Sequence, residues 1–468
     1  MELKISAYTE KEALQAESAA KLEISRLEKM LSAYNPNSEF SQWLGTFRQP
    51  VHVSPELFEV MNLFDQWRIR SGGALDASAE VITKLWKQAA SRQRIPGPDE
   101  LNKAVAEVKQ THWKLDASNK TATHLSNAPL MLNTFVKSYI IKHAADAAMA
   151  SARLKAIVIN IGGDMVITGN LDETVQVSNP RADAENDAPM DQLLIRNRAV
   201  ATSGNYRRGE LIGGQWYSHI VDPRTGQPAD NIISATVVAP NAADAGALAT
   251  AFNVMSPSES IKLAATIPGA EYLIITKDGE RIASPGWIDL ETYAFKHTSS
   301  AKQELNKINV ANGWNNDFEL IINLEINLQK EGFAKRPYVA VWVEDENHAA
   351  VRTISVWHGS DRYVPELKSW FLKYRGMYTS DRNFSGSVTS ATRPPGKYTL
   401  KWDGKDDQGN FVKPGKYIIK IEASREHGTY QLMRQELNCN ETPQQINLTG
   451  NTEIATASLD YRKNTSSH

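Results

Sequence analysis

The character of the sequence changes near residue 298, and this break constrains the possible fold more than any other feature. Before it, helical and strand patterns alternate, whereas after it strands and turns follow each other with almost no helical period. The stretch Ser299–Trp314 is polar and short of apolar residues, as a linker is. We therefore predict two domains over residues 1–298 and 317–462, with a linker over 299–316 and a tail over 463–468.

The first part carries the start signals and the periods of several helices. Apolar residues recur at spacings of three and four over Thr9–Leu31, which predicts an amphipathic helix. Ser54–Pro55 predicts an N-cap followed by the first helical position, and further helices are predicted over Pro96–Val108 and Met131–Ala150. The last of these leads into a buried strand at Ala156–Ile161. This mixture of helices and strands indicates an α+β domain.

The second part alternates apolar and polar residues, as the strands of a half-buried antiparallel sheet do. Six strands are predicted, at Phe318–Leu324, Tyr338–Val343, Val351–Trp357, Gly396–Trp402, Gly415–Ile421 and Thr429–Leu437. Turn-forming Pro, Gly and Asp residues separate them, so we predict an all-β, immunoglobulin-like sandwich. The pattern is lost from Asn440 onward, and Leu459–His468 is predicted to be a frayed end.

The composition excludes several classes of function. The 52 Lys and Arg residues against 54 Asp and Glu residues give a net charge of -2, so no cationic field is available to hold a nucleic acid. No run reaches the length of apolar sequence that a membrane-spanning helix needs. The single cysteine, Cys439, excludes an intramolecular disulfide and a cysteine-rich metal cluster. Charges within Met1–Lys11 stand where a signal peptide has its apolar stretch, so the chain is either cytoplasmic or numbered without its leader.

One short run brings together several groups that could carry chemistry. Tyr217–Gly226 holds an imidazole, a carboxylate, a guanidinium and a hydroxyl within ten residues and ends in a Pro-x-x-Gly turn. Such a set suits proton transfer beside a phosphate. The alternative is a hairpin corner in which Asp222 caps a turn and His219 is a satisfied, partly buried ring. The local chemistry alone favours this alternative.

Three further runs have features of a ligand site. Ile159–Met165 leaves a buried strand through a double glycine, which permits close approach of a ligand to the backbone, but it lacks the spacing of a dinucleotide fold or a phosphate loop. Ala201–Arg208 combines hydroxyls, a glycine and two arginines, which is also the composition of a solvated loop. Asp244–Phe252 is a helix start of small residues that suits close packing or an anion.

In their order along the chain, these runs resemble the ApbE-like FAD:protein FMN transferases over about residues 10–295. The resemblance is carried by Leu31–Glu39, Ser71–Ser78, Leu85–Trp86, Lys137, Asn160–Asp164, Val200–Tyr206, Ser218–Gly226 and Ala247–Thr250. It implies a T-fold-like α+β domain that takes FAD and, with a divalent cation such as Mg²⁺, transfers FMN through a phosphoester bond. The implied acceptor is a threonine hydroxyl of a redox protein, and AMP is released.

The resemblance also implies roles for individual residues. His219 corresponds to the histidine that takes the proton from the acceptor hydroxyl. The implied FAD-binding positions are Tyr34, Ala74, Leu75, Asp76, Met131, Lys137 and Ile220. The implied cation-binding positions are Thr134, through its carbonyl group, Gly246 and Thr250. A neutral imidazole can accept the hydroxyl proton near neutral pH while cationic groups stabilise charge on the phosphates.

Two of the departures from the family pattern remove a carboxylate. Met131 stands where the family has a carboxylate that contacts FAD, and Gly246 stands where it has an aspartate that binds the cation. Mg²⁺ is a hard cation that proteins hold with one or two carboxylates, so the loss of this ligand should weaken binding severely. Asp244 is two residues away, about 200° around a helix, and should face the wrong side. We therefore hypothesise that the cation site is degenerate.

These departures leave alternatives to the transferase open. One is a catalytically degenerate protein that binds flavin or a partner through the same cleft. A weaker one is an FAD pyrophosphatase, in which water replaces the threonine as nucleophile and the same cation is needed.

The second part resembles the predicted periplasmic β-domain of unknown function that is attached to some ApbE-type chains, chiefly through Trp402–Gly409 and Pro414–Tyr417. The resemblance implies a periplasmic protein, or one associated with the outer face of a membrane. The acidic turn over Asp403–Asp407 could hold Ca²⁺, although turns of this composition are usually only turns. Three aromatic residues could form a partner-binding face, although such residues more often pack the core of a sandwich: Trp357, Trp370 and Tyr374.

Overall fold

The computed structural model describes residues 1–205, 208–292, 318–327, 335–359, 361–380, 388–426 and 428–463. The chain divides into two compact units. The first comprises Met1–Pro180 and Asp191–Lys296, and the second comprises Arg181–Met190 and His297–His468. The predicted linker over 299–316 lies outside the described residues, as does most of the predicted tail.

The first unit mixes nine helices with fourteen strands in the residues described. Its helices are α1 (Glu10–Leu31), α2 (Glu39–Leu44), α3 (Pro55–Arg70), α4 (Glu80–Arg92), α5 (Pro98–Val108), α6 (Val136–Ser151), α7 (Ala242–Val254), α8 (Pro257–Ala264) and α9 (Trp287–Leu290). Its strands are β1 (Glu2–Ala7), β2 (Pro50–His52), β3 (Trp113–Asp116), β4 (Thr121–His124), β5 (Leu154–Ile161), β6 (Asp164–Gly169), β7 (Glu173–Val177), β8 (Asp191–Ile195), β9 (Ala199–Gly204), β10 (Gly209–Ile212), β11 (Gln215–Ser218), β12 (Ile232–Ala239), β13 (Glu271–Thr276) and β14 (Arg281–Ala283).

A seven-stranded antiparallel sheet forms the frame of this unit, in the order β1-β5-β6-β9-β12-β13-β14. Helix α6 packs on β5 and β6, and α7 packs on β9 and β12. Nearly every residue of α7 is buried, because its alanines and single glycine let neighbouring backbones approach closely. Helix α1 packs against α6, and the core lies between the helices and the sheet. The predicted α+β class is confirmed.

Local signals placed most of the predicted elements correctly. Thr9 caps α1 by accepting a hydrogen bond from the Glu12 amide at 3.2 Å, and Ser54 caps α3 in the same way. The helix predicted over Met131–Ala150 is wrong at its start, because α6 begins only at Val136. The apolar residues just before α6 are buried in the core without forming a helix, and Asn133 lies in a turn.

The second unit is a sandwich of two sheets. Its strands are β15 (Phe318–Ile326), β16 (Tyr338–Asp345), β17 (Ala350–His358), β18 (Thr389–Ala391), β19 (Gly396–Trp402), β20 (Gly415–Ser424), β21 (Tyr430–Cys439), β22 (Gln444–Leu448) and β23 (Ile454–Lys463). One sheet has the order β19-β15-β23-β22, the other has the order β18-β17-β16-β20-β21, and apolar side chains from both form one core. The predicted β-sandwich is confirmed.

Two expectations about the second unit are wrong. The region after Asn440 contains β22 and β23, and β23 is paired on both sides, by β15 and by β22. The predicted frayed end at Leu459–His468 therefore begins inside a strand. The second unit also contains a helix, although almost no helical period was recognised there. This helix, α10 (Lys368–Ser380), covers the outer face of the five-stranded sheet. The Glu422 carboxylate accepts hydrogen bonds from the amides of Ser369 and Trp370, each at 2.8 Å, and so caps this helix.

The aromatic residues considered as a partner face are buried. Trp370 and Tyr374 stack on one side of α10 with ring centroids 5.6 Å apart, and Trp357 lies in the sandwich core. In the acidic turn, Asp406 accepts hydrogen bonds from two nearby amides and Asp407 accepts one from the Thr353 amide at 2.9 Å. These carboxylates stabilise the turn and its junction with β17. Over the described part of the chain, no helix is both long and apolar enough to cross a bilayer.

Candidate active site

The segment that follows β11, residues 220–229, forms a corner held by backbone hydrogen bonds. Asp222 donates its amide to the Gln227 carbonyl and accepts the Gly226 amide, both at 2.8 Å, and its carboxylate accepts the Arg224 amide at 2.8 Å. The buried indole of Trp86 on α4 donates to the Gly226 carbonyl at 2.9 Å. Asp222 therefore caps a turn, as the hairpin-corner alternative predicts, and the corner holds the preceding residues in place.

His219 lies at the surface directly before this corner with its ring partly buried, and a backbone carbonyl orients the ring. Its Nδ1 atom is 2.9 Å from the Arg208 carbonyl oxygen. Because a carbonyl oxygen only accepts hydrogen bonds, Nδ1 carries the proton in the neutral ring and Nε2 keeps its lone pair. Partial burial of the imidazole lowers the pKa of His219 below its ordinary value of 6.5; the hydrogen bond with the Arg208 backbone opposes this shift, and the charges of Arg208 and Lys87 add to it. The lowered pKa favours the neutral ring, and the hydrogen bond to the Arg208 carbonyl places its proton on Nδ1.

A second cluster forms where α6 begins beside the turn between β5 and β6. Gly162 and Gly163 both have positive φ, 58° and 95°, which suits a two-residue type I′ hairpin loop. The Lys137 ammonium lies 3.3 Å from the Gly162 carbonyl oxygen and 3.0 Å from Asp164 Oδ1. The Ser138 hydroxyl donates to Asp164 Oδ2 at 2.7 Å.

Asp164 is thus a buried carboxylate with both oxygens engaged. Only 6% of the residue is exposed, and this burial raises the pKa of Asp164, while Lys137 and the Ser138 hydrogen bond oppose the rise. The pairing leaves less of the Lys137 charge for a ligand, although its side chain remains 39% exposed. The cluster therefore presents one partly neutralised cation.

Two predicted FAD-binding residues, Tyr34 and Met131, lie in loops that are hydrogen-bonded to other segments of the candidate site. Tyr34 is 76% exposed, and its hydroxyl accepts a hydrogen bond from Asn133 Nδ2 at 2.7 Å. The Met131 amide donates to the Ala77 carbonyl at 2.8 Å, which ties the residues before α6 to the segment after Ser71. Tyr34 therefore offers an aromatic face that no core packing occupies.

The side chains of Ala74, Leu75 and Asp76 point into the protein. The two apolar side chains belong to the core, and the Asp76 carboxylate pairs with Arg68 Nε at 2.8 Å and accepts the Ser78 amide at 2.8 Å. A ligand contact from this segment would therefore come from its backbone. Ile220 is half-buried, and its amide donates to the Ser218 hydroxyl at 3.0 Å.

The residues at the implied cation position do not fit a divalent cation. The Thr250 hydroxyl donates to the Gly246 carbonyl at 3.1 Å, and Thr134 offers only a backbone carbonyl and a hydroxyl. Gly246 has no side chain. Asp244 lines a different cavity, of about 410 Å³, together with Arg70, so it does not replace the missing ligand. Among the described residues, no group of three His, Cys, Asp or Glu side chains is arranged to hold a metal ion.

Comparison with protein families explains why these blocks occur together. A model described as ApbE family matches residues 1–274, more than half of the chain. The chain belongs to the ApbE family. A second model, described as "Predicted periplasmic protein (DUF2271)", matches residues 319–456.

The curated relatives of this ApbE-family chain include two proteins named FAD:protein FMN transferase. One, from Treponema pallidum, is 28% identical over 51% of this chain and 71% of its own length. The other, from Klebsiella pneumoniae, is 26% identical over 58% of this chain and 78% of its own length.

Solved structures of ApbE proteins have the same fold. An ApbE protein from Thermotoga maritima matches with a TM-score of 0.55 and 24% identity, covering 62% of this chain and 96% of the other. The apo form of a flavinyl transferase ApbE from Pseudomonas stutzeri matches with a TM-score of 0.52 and 21% identity, covering 62% of this chain and 92% of the other. These structures support the fold of the first unit.

Sequence reasoning named the motifs of this ApbE-family chain but missed several partners inside them. Arg208 orients His219 through its carbonyl group, which no side-chain motif reveals. Asn133 and Ser138 stand on either side of Lys137, and their hydrogen-bond partners are distant in sequence. Asp164 was visible at the end of the double-glycine run, and its position directly after two glycines is the signal that could have singled it out.

Proposed function

We propose that the first unit transfers FMN from FAD to a threonine hydroxyl of an acceptor redox protein and releases AMP. The observation that carries this proposal is the state of His219, whose Nδ1 is bonded to the Arg208 carbonyl and whose pKa is lowered. A neutral ring with a free Nε2 lone pair is the form of histidine that can accept a hydroxyl proton. The names of the curated relatives support the same reaction.

The proposed reaction exchanges one phosphorus–oxygen bond for another. The threonine oxygen attacks the phosphorus on the FMN side of the FAD pyrophosphate, and Nε2 of His219 takes the hydroxyl proton. The new bond is a phosphoester between FMN and threonine, while the bond from phosphorus to the bridging oxygen breaks and AMP leaves with that oxygen. No oxidant or reductant is needed.

The other residues bind and orient in this proposal. The exposed ring of Tyr34 offers a face for stacking against a flavin or adenine ring, and Ile220 adds an apolar contact beside His219. The Lys137 ammonium supplies positive charge for the phosphates, and the backbone of residues 74–76 offers hydrogen-bond groups. The family match to a predicted periplasmic protein supports a periplasmic location.

The test is to incubate the full chain with FAD and a threonine-bearing acceptor peptide, with and without Mg²⁺, and to analyse the products by mass spectrometry. We expect an FMN adduct on the threonine and an equal amount of AMP. His219→Ala should abolish both products, whereas His52→Ala, at an exposed position of β2, should leave them unchanged. Product formation by His219→Ala at the wild-type rate would refute the proposed role of this residue.

A second candidate function is flavin binding without transfer. The observation that favours it is the absence of a carboxylate at position 246. FAD bound by the wild-type chain with neither adduct nor AMP would support this candidate. AMP without an adduct would instead indicate hydrolysis of the FAD pyrophosphate.

A further inference from the structure

Position 246 on α7 is filled by a neighbouring helix. A β-carbon placed on Gly246 would lie 2.6 Å from the Ser138 hydroxyl oxygen and 3.3 Å from the Cα and Cβ atoms of Phe135. The first distance is far below van der Waals contact, so any side chain at this position requires Ser138 to move. The space from which a carboxylate would project toward a cation is therefore already taken.

Ser138 is not free to move at low cost. Its hydroxyl donates to Asp164 Oδ2 at 2.7 Å, and rotation away would leave a buried carboxylate oxygen without that donor. The other oxygen, Oδ1, is 3.0 Å from the Lys137 ammonium. Both carboxylate oxygens of Asp164 therefore already have partners, so Asp164 is not available as a substitute cation ligand.

We infer that Ser138 and Gly246 form a matched pair that closes the family's divalent-cation position, so that this chain holds its nucleotide without a divalent cation. The serine hydroxyl satisfies the buried Asp164 and uses the volume that a residue-246 side chain would need. The glycine in turn permits the close approach of α6 to α7. Restoring a carboxylate at position 246 alone is then insufficient, because the serine must also be removed.

The part of this inference that concerns the nucleotide rests on the proposed function, but the closure of the cation position does not. It is tested by Mn²⁺ binding to the full chain without nucleotide, measured by electron paramagnetic resonance. Four proteins are compared: the wild type, Gly246→Asp, Ser138→Gly and the double variant Ser138→Gly/Gly246→Asp. Gly376→Asp is the matched control, because a side chain on this exposed glycine of α10 meets nothing within 4 Å.

We expect saturable Mn²⁺ binding in the micromolar range only in the double variant. Gly246→Asp alone should lower the melting temperature and bind no Mn²⁺, while Gly376→Asp should change neither property. Micromolar binding by the wild type, or by Gly246→Asp alone, would overturn the inference. A folded double variant that binds no Mn²⁺ would also overturn it.

If the double variant does not fold, a second measurement on the wild type still tests the inference. Quenching of FAD fluorescence by the wild type is titrated in EDTA and again in Mg²⁺, and the two dissociation constants should agree within about twofold, or about 0.4 kcal/mol. A tenfold tightening by Mg²⁺ would contradict the inference. A chain that binds no FAD under either condition would refute the proposed function, while the Mn²⁺ result would still decide whether the cation position is closed.

Discussion

Replacing Trp86 with Phe should loosen the corner that follows His219. The indole is 3% exposed, donates to the buried Gly226 carbonyl at 2.9 Å and lies 4.9 Å from the Tyr217 ring. Phenylalanine keeps an aromatic ring but removes the N–H donor, and leaving a buried acceptor unsatisfied costs about 1–3 kcal/mol. The smaller ring leaves a gap worth roughly 1 kcal/mol more. Together these two effects should lower the free energy of opening the corner by about 2–4 kcal/mol.

Hydrogen exchange measured by mass spectrometry on the full chain tests this magnitude directly. The amides of Asp222, Gly226 and Ala229 are hydrogen-bonded within the corner, so they exchange only when it opens. A loss of about 2–4 kcal/mol predicts exchange roughly 30- to 1,000-fold faster in the peptide that contains them. The transferase rate should fall with it, because the orientation of His219 depends on the same segment.

Trp43→Phe provides the matched control. Trp43 is also buried and also donates to a backbone carbonyl, that of Ala122 at 3.2 Å, but it lies outside the corner. The Trp43→Phe substitution should speed amide hydrogen exchange around Ala122 and leave both exchange in the corner and the transferase rate unchanged. Unchanged exchange of the corner in Trp86→Phe, or an equal loss of activity in both variants, would refute the reasoning.

Three further predictions concern single groups. If His219 is the base, its lowered pKa places the acid limb of the kcat/KM profile below pH 6.5, so the rate is flat at neutral pH and falls only on acidification; a limb above pH 7 would contradict this. Arg425→Met leaves the buried Glu453 carboxylate without the guanidinium group that pairs with it at 2.8 Å, so it should lower the free energy of unfolding of the second unit, measured in urea, by about 3–5 kcal/mol. Arg434→Met, which breaks an exposed pair, should not have this effect. Burial raises the pKa of the Cys439 thiol, so Ellman's reagent should label it only after unfolding, and fast labelling of the native chain would show that it is accessible.

The sequence alone predicted the parts of the fold that depend on local chemistry. Thr9 and Ser54 cap helices because a side-chain oxygen beside the first turn satisfies a free amide wherever the helix packs. Six strands between Phe318 and Leu437 were predicted because alternation with a period of two requires only that one face be buried, whereas the short β18 was missed. The family resemblance of the first unit followed from the ordered motifs, and the comparison with family models confirms it.

Other elements were missed because their stability comes from distant partners. Strand β23 lies among polar residues and turns, and it is ordered by pairing with β15, whose paired residues lie 128 to 145 residues earlier in the chain. Helix α10 is stabilised by its burial on the outer face of a sheet and by Glu422, which caps it from 52 or 53 residues away. A short sequence window contains neither partner, so it cannot predict either element.

The candidate site divides in the same way. The motifs were sufficient to name His219 and Lys137 and to notice that Gly246 departs from the family pattern, because residue identity and order are properties of the sequence. The tautomer of His219 depends on a carbonyl eleven residues away, and the meaning of Gly246 depends on a serine hydroxyl 2.6 Å from where its β-carbon would stand. Short distances between side chains remote in sequence arise only when helices and strands pack, so tertiary structure alone decided how these residues are held.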